Sequence, residues 1–452
     1  MLAALVLAGA AWFDGFSSAN AQFSMVLTNA SRPLPRRASI ILIVANGLGY
    51  GDLSCYGQTK YQTPNLDRLA AGGIRFTSYY AGDAASSPAR AALMLGRDPR
   101  HLKQRADVDV PLAADDVTVA QVLRQSGYST GLIGEWDLGD DQTTGKPWNH
   151  GFDQFAGYFE GDAAENFYAD YLWRYDGHTG FQGRANVYQN MDGKKNQYIP
   201  DLLTTIALNF ISNDRPDRFN QYRPFFLQLN CIIPDGGTGL VPTDAPFSEE
   251  PWPQVEKNRA AMITRLDESI GRLVSHLKQL NLVSNTVIFF TSDTGSQTNG
   301  GIDPKFFRSA GSFRSAPGEL YEGDLRVPMI ASWPGRIAAG QVSDFTWAAW
   351  DLMPTLTDIA LVGPSAGTDG LSVFPVLLGQ TPAHRHEFFH WRRVGRNVWH
   401  TIRQEDWEAV QPRAGAPLEL YNLKTDPGET KNVADQHHDI VGRFQEILKD
   451  NP

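Results

Sequence analysis

Cysteine is scarce, with two residues in 452, Cys55 and Cys231. That is too few for a disulfide framework or a thiolate metal centre. Positive charge is in the minority, 40 Lys plus Arg against 50 Asp plus Glu, for a formal charge of −10. This balance excludes a general nucleic-acid binder, whose affinity needs clustered cations. An apolar run of the roughly 20 residues needed to cross a bilayer is also missing, since the stretch from Met1 to Trp12 is too short. What is present is 42% hydrophobic and 20% charged residues, a balance that excludes disorder for the whole chain. The length suits one large domain or two to three smaller ones, and 42 glycines with 27 prolines imply many turns.

Residues Met1 to Trp12 are almost wholly apolar, and Ala19-Asn20-Ala21 before Gln22 has the form of a cleavage site. We read residues 1–21 as a secretory signal peptide, which implies a secreted or periplasmic protein with no transmembrane span after cleavage. No Lys or Arg precedes the run and Asp14 interrupts the segment; the alternatives are a buried N-terminal strand or a retained anchor. Export makes a Cys55–Cys231 disulfide chemically possible without requiring one.

Beyond the leader, Ser39 to Val44 is a continuous apolar run ending in Ala45-Asn46-Gly47, the pattern of a central parallel strand covered on both faces. Pro64 to Ala71 and Thr118 to Gln125 read as short helices, and Ile74 to Phe76 and Ser129 to Ile133 as strands. Phe225 to Leu229 and Val287 to Phe290 are further buried-strand candidates. Between them Glu256 to Leu280 places Ile263, Leu266, Ile270, Leu273 and Leu277 at helical steps. Alternation of this kind predicts an α/β fold, a large, mostly parallel central sheet with helices on both faces, whose chemistry sits beyond the carboxyl ends of the strands. After a loop-rich stretch from Gly363 to Ala383, the segments Glu387–Trp391, Val398–Ile402 and Glu419–Leu423 read as strands, with a terminal helix following. The expected division is an α/β domain over 36–380 and a small C-terminal α+β domain over 385–452, with a short antiparallel sheet.

Several stretches share one likeness: Ala45-Asn46-Gly47-Leu48-Gly49-Tyr50-Gly51-Asp52, Thr63 to Ala70, Gly73 to Thr77, and Ser86-Ser87-Pro88-Ala89-Arg90 through Arg97. Gly127 to Gly139, Phe289 to Asp293, Tyr321 to Pro328 and Leu420 to Leu423 extend it. In number and order they resemble the sulfatase family of the alkaline-phosphatase superfamily. That resemblance implies a formylglycine nucleophile made from the Cys or Ser of a Cys/Ser-x-Pro-x-Arg motif. It also implies a calcium ion held by four Asp or Asn side chains, with two Lys and two His around the sulfate.

The likeness places the nucleophile position at Ser86 and the motif's arginine at Arg90. Pro88 suits a first helical turn, and a helix starting there aims N–H groups at an anion near Ser86. The plainer reading is that Ser86 caps the helix and Arg90 holds a neighbouring carboxylate. The metal positions fall on Asn46, Gly47, Asp293 and Thr294, so Asn46 and Asp293 remain as remnants, a poor set for an ion that takes six to eight oxygens. The Lys and His positions are filled by Glu135, Asp137, Asp235 and Pro317, and Lys305, in the diverged loop from Ser296 to Gly318, is a candidate to reach in from elsewhere. No cofactor is expected, or calcium if the family site survives. Glu135, Asp137, Asp235 and Asp293 together raise the option of a new cation site. The sequence therefore predicts a catalytically inactive sulfatase-like protein with a binding or structural role toward a protein or carbohydrate partner. The alternative is a sulfuric or related phospho-ester hydrolase with a remodelled site using Ser86.

Overall fold

The computed structural model describes residues 37–103, 110–159, 166–216, 222–234, 241–316, 319–363, 367–394 and 398–451. Residues 1–21 and positions Asp235 and Pro317 lie outside them.

The apolar run at Ser39 forms β1 (Ser39–Asn46), buried along nearly its whole length. A strand without a polar face must be covered on both sides, and β1 sits in the middle of a ten-stranded sheet of order β11-β2-β10-β9-β1-β8-β4-β5-β6-β7. Its centre is parallel: β1 pairs with β8 (Phe225–Pro234) and β9 (Thr286–Ser292), and β4 (Ser129–Glu135) pairs with β8 and β5 (Gln154–Tyr158). Antiparallel strands flank this centre: the β6–β7 hairpin (Tyr171–Asp176, Phe181–Asn186) beside β5, and β10 (Met329–Ser332) between β9 and β2 (Ile74–Phe76). At the far edge β11 (Gln341–Ser343) runs parallel to β2.

Alternate side chains of β1 feed two cores. Ile41 and Ile43 pack with Leu66 and Leu69 of α1 (Pro64–Ala71), Leu203 and Phe210 of a helix over Ile199–Asp214, and Ile263, Leu266 and Ile270 of a helix over Gln254–Gln279. Ile40, Leu42 and Val44 face the other way, toward Leu93 and Leu95 of α2 (Ser86–Leu95) and Val119 and Leu123 of α3 (Val119–Gln125). Thr118 caps α3, its hydroxyl accepting from the Gln121 N–H at 3.2 Å. Beside β2 a short two-stranded sheet joins β3 (Tyr79–Tyr80) to β12 (Trp347–Ala348).

A separate antiparallel sheet, β13 (Phe389–Val394), β14 (Val398–Gln404), β15 (Trp407–Gln411) and β16 (Glu419–Asn422), carries the terminal helix His438–Asp450 through Ile402, Leu420, Ile440 and Phe444. Its other contacts reach the main body: Phe389 and Trp391 share a cluster with Tyr80, Ala92, Leu325 and Trp350. Cys55 and Cys231 are both free thiols, and burial pushes each pKa up to about 12. Among the described residues no helix is long and apolar enough to cross a membrane.

Candidate functional site

β1, β4 and β9 run parallel and end at one edge of the sheet, so the residues that follow their apolar runs converge there. These are Asn46 at the end of β1, Glu135 at the end of β4 and Asp293 just after β9. α2 contributes Arg90 from its second turn. Ser86 is the first helical residue of α2 and is partly buried. The expectation that it caps the helix is not met: the N-cap position is Ala85, which has no capping side chain. The Asp83 carboxylate instead accepts from the Ala85 N–H at 3.0 Å, and burial raises the Asp83 pKa to about 6.

Arg90 is 3% exposed and organises the site. Its Nε and Nη2 donate to Asp293 Oδ2 at 3.0 and 2.9 Å, and Nη2 also donates to Glu135 Oε2 at 2.7 Å. Asn46 Nδ2 reaches the same Glu135 oxygen at 3.0 Å. Asp293 Oδ1 accepts from the Gly47 N–H at 3.1 Å, with Gly47 held at φ +65, a conformation that an aspartate at that position would meet at a cost. Asp137 stands 4.0 Å from Arg90 Nη1 and also adopts positive φ, at +61. Burial works against the Arg90 charge, but Glu135, Asp293 and Asp137 more than offset it and hold the guanidinium pKa above its usual range.

Arg90, the cation of this network among the described residues, is thus turned inward onto carboxylates. The plain expectation that Arg90 holds a neighbouring acid is met, and the four-acid cation site is narrowed: Glu135, Asp137 and Asp293 share Arg90, while Asp235 falls outside the described residues. Lys305 does not replace a lost lysine in this network. It lines a separate groove of about 820 Å³ with Arg308 and Arg314, and that lining includes none of Asn46, Ser86, Arg90, Glu135 or Asp293. No base stands within hydrogen-bonding reach of the Ser86 hydroxyl among the described residues.

The residues do not fit calcium. Asn46 Oδ1 is buried without a partner and suits a metal, but both Asp293 oxygens and one Glu135 oxygen already serve Arg90, Gly47 and Asn46. A guanidinium within 3 Å of both carboxylates occupies the charge a divalent ion would neutralise. Among the described residues no group of three or more His, Cys, Asp or Glu is placed to hold a metal. No chemical step is derived through one.

A second buried arginine, missed in the sequence, braces the same loop. Arg259 donates to Asp52 Oδ2 at 2.8 Å, both side chains being 0% exposed, and to Ser296 Oγ at 3.1 Å and Gly47 O at 3.4 Å. The signal was available: Arg259 lies four residues before Ile263, on the apolar stripe of its helix, where an unpaired charge is not tolerated.

A doubly covered sheet with its polar cluster at the carboxyl ends of the parallel strands defines an α/β protein whose site lies where such folds place theirs. Residues 38–362 match the model of the sulfatase family, and residues 318–451 match that of the N-sulphoglucosamine sulphohydrolase C-terminal region. The chain belongs to the sulfatase family. It is 31% identical over 464 residues to arylsulfatase A of Bos taurus, covering 91% of this chain and 86% of the relative. It is 28% identical over 495 residues to an N-acetylgalactosamine-6-O-sulfatase of Bacteroides thetaiotaomicron, covering 92% and 93%. Among solved structures it is similar to Ps i-CgsB in complex with k-i-k-neocarrahexaose, at a TM-score of 0.76 and 28% identity over 92% of this chain and 93% of the other.

Proposed function

We propose that this sulfatase-family chain does not hydrolyse sulfate esters and instead serves as a binding protein in an exported compartment, with a carbohydrate as its ligand. The observation that carries the reading is the inward ion pairing of Arg90 with Glu135 and Asp293. Sulfate-ester cleavage needs preorganised positive charge where negative charge develops. A unit charge pair at 4 Å and an effective dielectric near 20 is worth about 4 kcal/mol, so a glutamate where the resemblance places a lysine turns attraction into repulsion of that order. No carboxylate in the network can protonate a leaving alkoxide while it is ionised and bound to arginine. Support for a saccharide ligand comes from the relatives, one named for an N-acetylgalactosamine-6-O-sulfatase and one solved with neocarrahexaose.

The second reading, a hydrolase working through Ser86, draws on the intact Ser86-x-Pro88-x-Arg90 spacing at the start of α2. One experiment separates the two. The purified chain is assayed on chromogenic aryl sulfates and phosphates with and without calcium, alongside mass spectrometry of the peptide carrying Ser86. The inactive reading predicts no turnover above a Ser86→Ala control and an unmodified serine. Turnover that disappears in Ser86→Ala, or an aldehyde at position 86, establishes the hydrolase.

A further inference from the structure

A second concentration of buried acid shares no residue with the Arg90 network. Glu322 opens the short helix α4 (Glu322–Leu325) on the main body and is 0% exposed. Its carboxylate is fully engaged: Tyr80 Oη donates to Oε1 at 2.7 Å, Arg326 Nη1 donates to Oε2 at 2.8 Å, and Arg403 Nη1 lies 3.7 Å from Oε1. Glu408, on β15 of the small sheet, is 1% exposed, and neither of its oxygens meets an N–H or O–H donor. Glu429 comes from the turn after β16, is 2% exposed, and holds a strained φ of +51. One of its oxygens accepts from the Glu322 N–H at 3.0 Å, tying the turn to the main body, while the other meets no donor.

The Glu408 and Glu429 side chains are neighbours, each acting on the other's charge, and the oxygens left without a donor belong to both. Two carboxylates in that position are both acceptors and repel, whereas a single proton supplies the missing donor and removes one charge. Arg403 and Arg314 act on Glu408 and Glu429 through space, but the hydrogen bonds of Arg326 and Arg403 go to other groups. Arg326 donates to Thr77 O and Glu322, and Arg403, paired across the ladder with Glu408, donates to Ser78 Oγ at 3.2 Å and Glu405 O at 3.4 Å. The other groups around the cluster are Tyr80 on β3, Tyr421 opposite Glu408 on β16, Asp406 beside Arg403, and Arg314, which acts on Glu429.

We propose that Glu408 and Glu429 share one proton and form, with Glu322, a pH-sensitive clamp that fastens the β13–β16 sheet to the main body. Loss of the proton sets two buried charges against each other and pushes apart the small sheet and the turn that Glu429 ties to Glu322. Burial, reinforced by Glu322, pushes Glu429 up to about 9, and burial with Glu429 and Glu322 as neighbours raises Glu408 well above the carboxylate range. Glu429 also lines the groove that holds Lys305, Arg308 and Arg314, which gives the proton a route to solvent.

A carboxyl whose pKa is higher folded than unfolded leaves the native state holding more protons, so stability falls as pH rises between the two values. The test is thermal unfolding of the full chain and of Glu408→Gln from pH 5 to pH 9. The amide keeps a donor toward Glu429 but cannot titrate. The expected result is a midpoint that drops by several degrees toward pH 9 in the wild type and a flatter profile in the variant. Parallel profiles overturn the proposal. Infrared spectroscopy of the wild type at pH 8 needs no variant: a carbonyl band of an un-ionised carboxyl is expected there, where Asp83 and Asp324, at about 6, are ionised. Absence of that band overturns it equally.

Discussion

Two clusters of buried acid in this molecule are settled by different means. At the carboxyl ends of β1, β4 and β9, Glu135 and Asp293 each lie within 3.0 Å of Arg90, so a permanently charged guanidinium balances them directly. Between the small sheet and the main body, Glu408 and one oxygen of Glu429 meet no donor. The first arrangement is balanced by a fixed cation, whereas the second depends on a proton. The difference teaches what has become of the pocket: its positive charge is part of the scaffold, and an arriving anion meets carboxylates.

The largest expected effect tests the first half of that contrast. Arg90→Ala leaves Glu135 and Asp293 buried without their counter-charge, and we expect a loss of about 3–5 kcal/mol in denaturant unfolding. A loss under about 1 kcal/mol would break the comparison by showing that the carboxylates are satisfied without arginine.

Next comes the acid side of the small sheet. His390 Nε2 lies 2.9 Å from His400 Nδ1. Burial, reinforced by His400, Arg100 and Arg392, lowers His390 to about 2, and burial with Arg392 lowers His400 to about 4. Depressed histidine pKa values mean that the unfolded chain binds more protons, so stability is lost as pH falls from about 6.5 toward 4. Between pH 7 and pH 5 the wild type is expected to lose several degrees of thermal midpoint relative to His390→Gln, a histidine loss that runs against the carboxyl trend of the Glu408–Glu429 pair. An identical slope in the variant would remove the histidine pair as the cause.

Glu135→Gln should cost no more than about 2 kcal/mol, because Asp293 stays paired and the site sheds surplus negative charge. Asp137→Asn should cost least, under about 1 kcal/mol, because its side chain is 23% exposed and solvent screens its pairing with Arg90 at 4.0 Å. Denaturant midpoints for both variants beside Arg90→Ala give the ranking. A Glu135 variant as costly as the arginine variant would mean that the carboxylates are not in excess.

Much of the central sheet was legible because its strands lack a polar face. The apolar run at Ser39 and the stripe from Ile263 to Leu277 each have one structural solution, and both form as expected. The helix Ile199–Asp214 went unseen: it has a proline as its second residue, carries adjacent Thr204 and Thr205, and has apolar residues spread broadly around it, which blurs the period. β7 was missed for a different reason, since Phe181 to Asn186 is mostly polar and exposed, and pairing with β6 rather than propensity makes it a strand. β15 carries buried Glu408 in its middle, a residue that argues against a strand unless its partners are known.

At the site, the convergence of Asn46, Glu135 and Asp293 followed from resemblance and from where parallel strands end. The capping role given to Ser86 failed because the helix starts at Ser86 itself, which leaves Ala85 in the N-cap position. The cluster of Glu322, Glu408 and Glu429 could not be read at all, because its members come from a helix, a strand and a turn that only tertiary packing brings together.

The central claim is that the pocket's charge is closed against sulfate, and calorimetric titration of the full chain with inorganic sulfate, in the presence of millimolar calcium, tests it most directly. The account predicts no heat of sulfate binding in the wild type. Saturable sulfate binding that requires calcium and is lost in Arg90→Ala would contradict it.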